Sequence, residues 1–195
     1  DEDIAVSINV LANDSYVTSG SLSITSTNGT SGTTTVSNNT ITYTPDADYN
    51  GTDSFTYSIS QAGLSSSALV TVTINSVNDA PSIDIASTLS AAENQTAVAT
   101  ISKSDVDGDS LTLTMSGTDS SSFNLSTDDV LTFTTAPDYE TKNSYALSFS
   151  LSDGTVTTTK DISVAVTNVN DVAPVITSSA TFTSAENQTT VGSIS

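Results

Sequence analysis

Cysteine, histidine and tryptophan are missing from this 195-residue chain, arginine is missing too, and methionine occurs once. Without cysteine there is no disulfide, no thiolate metal site and no cysteine nucleophile. Without histidine the usual general base and the usual transition-metal ligand are gone, so the abundant serines lack a partner to activate them. Positive charge is scarce: Lys103, Lys142 and Lys160 stand against 22 acidic residues, giving a net charge of −19. Such a chain repels phosphate backbones and anionic lipid, which excludes nucleic acid as a partner. No apolar run approaches the roughly 18 residues of a membrane span, so direct insertion is not expected. No signal peptide is visible, and the chain reads as a piece of something longer. Nothing in the three lysines points to isopeptide cross-links; they read as solvated side chains.

What is present is alternation. Hydrophobic residues make up 35% of the chain and aromatics 6%. The rest is mostly Ser, Thr, Asn and Asp, which speaks for thin β cores rather than acidic disorder. Apolar residues recur at every second position over 4–10, 22–24, 41–43, 55–59 and 69–74. Turn clusters separate these runs at Asn13-Asp14, Asn28-Gly29, Asn38-Asn39 and Asp48-Tyr49-Asn50-Gly51. A second set is predicted at 82–86, 97–102, 111–115, 122–125, 130–134, 144–151 and 157–167. In the sixth of these Tyr145, Leu147, Phe149 and Leu151 face one way, and the seventh turns Ile162, Val164 and Val166 inward. Short strands with frequent turns predict an all-β fold of tandem seven-stranded Greek-key sandwiches arranged end to end.

Val77-Asn78-Asp79-Ala80-Pro81 returns as Val169-Asn170-Asp171-Val172-Ala173-Pro174, and Ala92-Glu93-Asn94-Gln95-Thr96 returns verbatim from Ala185. The two markers repeat after 92 and 93 residues, which is the length of a whole domain. The division expected is therefore 1–80, with its first strand missing, then 81–173, then 174–195 as the truncated start of a third repeat. Each Pro-terminated motif reads as a linker, because Pro cannot donate to a sheet ladder.

The acidic residues gather at these linkers. In a seven-strand Greek key the loops holding Asp105-Val106-Asp107-Gly108-Asp109 and Asp153-Gly154 lie at the end where Asn78 and Asp79 arrive. Glu93, Asp138 and Glu140 lie at the opposite end, where Asn170 and Asp171 leave. Ca²⁺ takes about six to eight oxygens in flexible geometry, whereas Mg²⁺ demands a tighter octahedron. Ligands drawn from two domains and a linker suit Ca²⁺. An EF-hand does not fit, since Ser110 stands at its sixth loop position and Ser116 at its twelfth. Any one of these aspartates taken alone can equally be a turn former.

Several spaced motifs now match a known family. Residues 81–174 resemble a cadherin repeat in Ala92-Glu93-Asn94, Asp105-Val106-Asp107, Phe123-Asn124-Leu125 through Asp138-Tyr139-Glu140, Asp153-Gly154 and the linker Asn168 to Pro174. The resemblance implies that Glu93, Asp138, Glu140, Asn170 and Asp171 are calcium ligands at one end. It implies that Asp105, Asp107 and Asp153 are ligands at the other, with Asn78 and Asp79. Asn168 and Val172 depart from the family's linker, and Ser76 stands at the first linker's opening Asp, which implies fewer or weaker ions. The first unit resembles the cadherin-like, Ig-like repeats of large bacterial surface proteins, in Leu11-Ala12-Asn13-Asp14 and Tyr43 through Gly51. There Asp48, Asn50 and Glu2 stand as further ligands, and Gln61 takes the place of Asp153.

The expectation is a non-enzymatic, calcium-stiffened extender from a secreted or cell-surface bacterial adhesin, whose partners are the neighbouring repeats. A Cys-free acidic chain fits that extracellular setting. The alternative is a module that binds polysaccharide or a sister repeat directly. Carbohydrate platforms usually need exposed aromatics, and most Tyr and Phe here fall on inward positions. Paired carboxylates can hydrolyse glycosides, but these sit in linker loops with no cleft.

Overall fold

The structure, a computed structural model, describes residues 1–16, 21–175, 185–187 and 189. Most of the expected third repeat lies outside the described residues. In chain order the strands are β1 (Val6–Ile8), β2 (Ser23–Ser26), β3 (Gly32–Ser37), β4 (Thr40–Pro45), β5 (Gly51–Gln61), β6 (Leu64–Ile74), β7 (Ser82–Asp84) and β8 (Thr88–Ala92). They continue with β9 (Ala97–Thr100), β10 (Ser102–Ser104), β11 (Thr112–Ser116), β12 (Phe123–Leu125), β13 (Val130–Phe133), β14 (Ser144–Ser152) and β15 (Thr157–Thr167). The helical content of the described residues is one 3-10 turn, Ser120–Ser122. The fold is all-β, as the alternation predicts.

Two compact units emerge. One combines Asp1–Ile85 with Ile101–Thr114 and Phe149–Lys160; the other combines Ala86–Thr100, Met115–Ser148 and Asp161–Ser195. In the first, sheet β1-β4-β3 and sheet β2-β5-β6 are antiparallel throughout. Their hairpins turn on residue pairs with positive φ, Asn38-Asn39 and Ala62-Gly63, as tight two-residue turns require. Ile41 and Tyr43 of β4, Phe55 and Tyr57 of β5, and Ile74 form the core with Val10 and Leu11. The pair β7-β10 also belongs to this unit.

In the second unit β8 runs parallel to β15 and β13 pairs with both β12 and β9. Phe123, Phe133 and Tyr145 stack edge-on or tilted with ring centroids 4.4–5.5 Å apart. The inward rows expected of β14 and β15 are found: Leu147, Ile162, Val164 and Val166 are all buried.

The strand count differs from expectation. Residues 82–167 hold nine short strands in place of seven, because one expected run breaks in two and β8 forms outside the expected runs. β7 pairs with β10 while β8 pairs with β15, and the run at 97–102 breaks at the buried Ile101 into β9 and β10. β3 and β8 were absent from the predicted set. Gly-Thr-Thr-Thr-Val-Ser and Thr-Leu-Ser-Ala-Ala lack the apolar alternation that reveals a strand, and their β propensity comes from Thr.

One buried carboxylate fixes the first unit from within. Asp53 of β5 is 4% exposed. It accepts hydrogen bonds from the Thr30 amide (3.0 Å) and hydroxyl (2.9 Å), the Ser31 amide (3.2 Å) and the Tyr43 hydroxyl (2.6 Å). Burial pushes this carboxyl up, but the bonds from Tyr43, Ser54 and Thr30 outweigh it and hold it well below the usual carboxylate range. Gly29 makes room, since a Cβ there would sit 1.9 Å from Asp53 Oδ2. We expect Asp53→Asn to cost about 3 kcal/mol in urea unfolding at neutral pH, because an amide sets N–H against N–H in a site built of donors. The depressed carboxyl stabilises the fold fully above its unfolded value near ~3.9 and loses that contribution as pH falls through its lower folded value. The variant should lack this part of the acid slope.

Candidate metal centre

A buried glutamate ties down the start of each Pro-terminated motif. Glu2 is 2% exposed, its N–H donates to Asn75 O (3.0 Å), and its Oε1 accepts from the Val77 amide (2.6 Å). Glu93 is 2% exposed and repeats the pattern. Its N–H donates to Thr167 O (3.1 Å), Oε1 accepts from the Val169 amide (2.6 Å), and Oε2 accepts from the Tyr139 amide (2.9 Å). The next residue is left-handed in each case: Asp3 at φ 59°, Asn94 at 62°, and Asn187 at 61°. Asp1-Glu2-Asp3 is therefore the counterpart of Ala92-Glu93-Asn94 and Ala185-Glu186-Asn187. Asn and Asp tolerate this backbone better than other side chains.

Around the first linker, carboxylates converge on Asp79. One oxygen each from Asp3, Asp48 and Asp79 lie within 4.8 Å of one another, and so do oxygens from Glu2, Asp79 and Asp107. Asp48 is left-handed at φ 59°, and its amide donates to Asp3 Oδ1 (3.1 Å). The Asp79 amide donates to Asp107 Oδ2 (2.8 Å). Asp79 Oδ2 is buried and has no hydrogen-bond partner. Burial first, then the charges of Asp48, Asp107, Asp3 and Glu2, push the Asp79 carboxyl above its ordinary range.

The neighbouring loops extend this arrangement. Oxygens of Asp105, Asp107 and Asp109 also lie within 4.8 Å of one another, and Asp105 Oδ2 is a second buried oxygen without a partner. The Asn78 side-chain amide donates to Asp153 Oδ2 (2.9 Å). That bond first, with the Val156 and Thr155 amides, holds the Asp153 carboxyl low. In the second unit Glu93, Asp138 and Glu140 form a separate cluster within 4.8 Å. The Asn168 side-chain amide donates to Glu140 Oε1 (2.8 Å), the Asn94 side-chain amide donates to Asp171 Oδ2 (2.6 Å), and the Thr141 hydroxyl leads the bonds that hold Asp138 low.

Of the residues singled out by sequence, Asp48, Asp79 and Asp107 share one cluster neighbourhood with Glu2, and Glu93, Asp138 and Glu140 share another. Asn50 and Asn170 are exposed, and Gln61 ends β5 without a carboxylate. Asp3 was missed. The signal that finds it is the spacing of Glu2 and Glu93, 91 residues apart, close to the repeat length. The donor set is all carboxylate and amide oxygen, which suits a hard divalent cation and does not suit zinc or copper.

A family model described as the bacterial Ig domain matches residues 1–73 and again 78–167. Among solved structures, the chain is similar to protocadherin gammaB7 domains EC3-6, described as a cis-dimer, at 22% identity and TM-score 0.52. It is also similar to extracellular cadherin domains 3-6 of protocadherin gamma B2 at 23% identity and TM-score 0.50. Each likeness covers 80% of this chain and 43% of the other, and concerns the fold. No curated protein sequence matches.

The raised Asp79 carboxyl gives a signed prediction. An acid that is weaker in the folded state destabilises the fold as pH rises from its unfolded value through its folded one. In chelator, stability should therefore fall over that window. Asp79→Asn should flatten the slope and raise the melting temperature of the ion-free protein, read by thermal denaturation across pH.

Proposed function

Because the chain belongs to the bacterial Ig domain family, we propose that it is a non-catalytic, calcium-dependent extender from the outside of a bacterial cell. Ca²⁺ sits at the linkers and stiffens a tandem array. The observation that supports this most is the buried, unpartnered Asp79 Oδ2 among the carboxylates of Glu2, Asp3, Asp48 and Asp107. Four carboxylates beside an aspartate oxygen without a donor form an arrangement that a divalent cation relieves.

In this reading the repeats are 1–80 and 81–173, and a third begins at 174. Asn78 and Asp79 belong to the linker, Glu2, Asp3 and Asp48 to the repeat before it, and Asp105, Asp107 and Asp153 to the repeat after it. Glu93, Asp138, Glu140, Asn170 and Asp171 serve the next linker. Without the ion, the carboxylates repel and the linker bends. With it, the same oxygens bind a common centre and hold neighbouring repeats at one angle. Extracellular modules of this kind bind Ca²⁺ at about 10⁻⁴–10⁻³ M, and a bacterium's surroundings supply that concentration in sea water or tissue fluid. The partners are then the neighbouring repeats. A polysaccharide-binding role finds less support, since among the described aromatics only Tyr16 is exposed.

Small-angle scattering and thermal unfolding, each with Ca²⁺ and with chelator, test the proposal. Ca²⁺ should lengthen the particle and raise the melting temperature, and Asp107→Ala should remove most of both effects. Identical curves in the two conditions would sink it.

A further inference from the structure

Two asparagines of the first unit are followed by glycine, Asn28 before Gly29 and Asn50 before Gly51. In such a pair the glycine nitrogen can attack the asparagine side chain, because no Cβ on the glycine blocks the approach. The fold treats the two pairs differently. Asn28 Oδ1 accepts a hydrogen bond from the Thr34 amide (3.0 Å), which holds that side chain in place. Gly29 is hemmed in by Asp53, whose Oδ2 would lie 1.9 Å from a Cβ there. Asn50 is exposed, and its side chain makes no hydrogen bond among the described residues.

Gly51 opens β5, and its pairing with Ile74 is the last rung of the β5-β6 ladder. End rungs open at little cost, so the Gly51 nitrogen is released more readily than an amide inside the sheet. Its φ of 132° is one that side chains rarely adopt. A Cβ there would lie 3.2 Å from the Tyr49 hydroxyl, which donates to Thr52 O (3.1 Å). Backbone and packing therefore require glycine at 51, and the reactive pair comes with it.

Asn50 also stands where a carboxylate matters. Asp48-Tyr49-Asn50 follows Glu2 at nearly the spacing at which Asp138-Tyr139-Glu140 follows Glu93. Glu93, Asp138 and Glu140 bring three oxygens within 4.8 Å of one another. Around Asp79, Asp48 and Glu2 each belong to such a group, but the residue in the place of Glu140 is the neutral Asn50.

We propose that Asn50-Gly51 is a self-modification site, at which Asn50 becomes aspartate or isoaspartate and adds a carboxylate to the Asp79 cation site. The Gly51 nitrogen gives its proton to solvent and attacks Asn50 Cγ. The new N–C bond closes a succinimide ring, the bond to the side-chain nitrogen breaks, and ammonia leaves with a proton taken from solvent. Water then opens the ring. Opening at Cγ gives aspartate, opening at the backbone carbonyl gives isoaspartate, and each carries one carboxylate. One water is consumed, one ammonia is released, and nothing is oxidised or reduced. The conversion needs only Asn50, Gly51 and water; its effect on the ion rests on the calcium reading above.

The full chain, aged in warm neutral buffer made with heavy-oxygen water and mapped by mass spectrometry, tests the conversion. Asn50 should take up one heavy oxygen over days to weeks while Asn28 stays an amide. Asn50→Gln should abolish the signal, since a glutamine side chain closes its larger ring far more slowly. An Asn50 that remains an amide, or an Asn28 that converts as fast, overturns the proposal. Calorimetric titration of Ca²⁺ into the fresh chain and into Asn50→Asp tests the consequence. Asn50→Asp should bind the ion several-fold more tightly, as an added charged ligand does. Equal affinities overturn the added ligand. Should neither protein bind the ion, the calcium reading falls and the added ligand with it, while the mass spectrum still decides the conversion.

Discussion

Crowded like charge at Asp79 is the constraint on which the rest of the molecule depends. Its Oδ2 is buried, lacks a donor, and stands among Asp3, Asp48, Glu2 and Asp107. Two of the three lysines are engaged elsewhere: Lys142 pairs with Asp119 and lies over the Tyr145 ring, and Lys160 donates to Ile83 O. A fold that gathers acceptors around a buried oxygen without a donor leaves charge there that its own hydrogen bonds do not balance.

Two aspartates of the same unit show how local donors decide the outcome. Asp53 is as buried as a core residue, yet four protein donors hold it ionised at the centre of the sheet pair. Asp79 is less buried, and its neighbours are acceptors, so its carboxyl moves the opposite way. The first serves the sandwich and needs nothing more. The second is positioned by the sandwich, through Glu2 and its bond to the Val77 amide, at a point where ionisation costs stability. Glu93 does the same for the second linker through Val169. The thin β cores thus act as rigid mounts for loops whose side chains are in mutual conflict.

Much of this was legible in the sequence, for identifiable reasons. β5, β14 and β15 were visible because Phe55, Phe149 and Val164 sit in strict alternation and bury one face. The two Pro-terminated motifs stood out because Pro81 and Pro174 follow alternating runs at a spacing of 93 residues. β3 and β8 were hidden, since Thr and Ser strands at a sheet edge carry no apolar period. The break at Ile101 was hidden too, because a strand that changes sheets keeps its inward residue and gives no sign of the change. The approach of Asp107 to Asp79 was expected from Greek-key topology. Asp3 escaped notice because Asp1-Glu2-Asp3 shares only its glutamate with Ala92-Glu93-Asn94, so that the 91-residue spacing of Glu2 and Glu93 is its one mark in the sequence. The Asp53 network was equally unreadable: its donors, Thr30 and Ser31, look like ordinary loop residues.

A crystal structure of the chain grown in millimolar Ca²⁺ tests the central claim most directly. The account predicts an ion bound by Asp79 Oδ2, with oxygens of Glu2, Asp3, Asp48 or Asp107 completing its shell at about 2.3–2.6 Å. Density that fits only water hydrogen-bonded to Asp79, with the surrounding carboxylates turned to solvent, would contradict it.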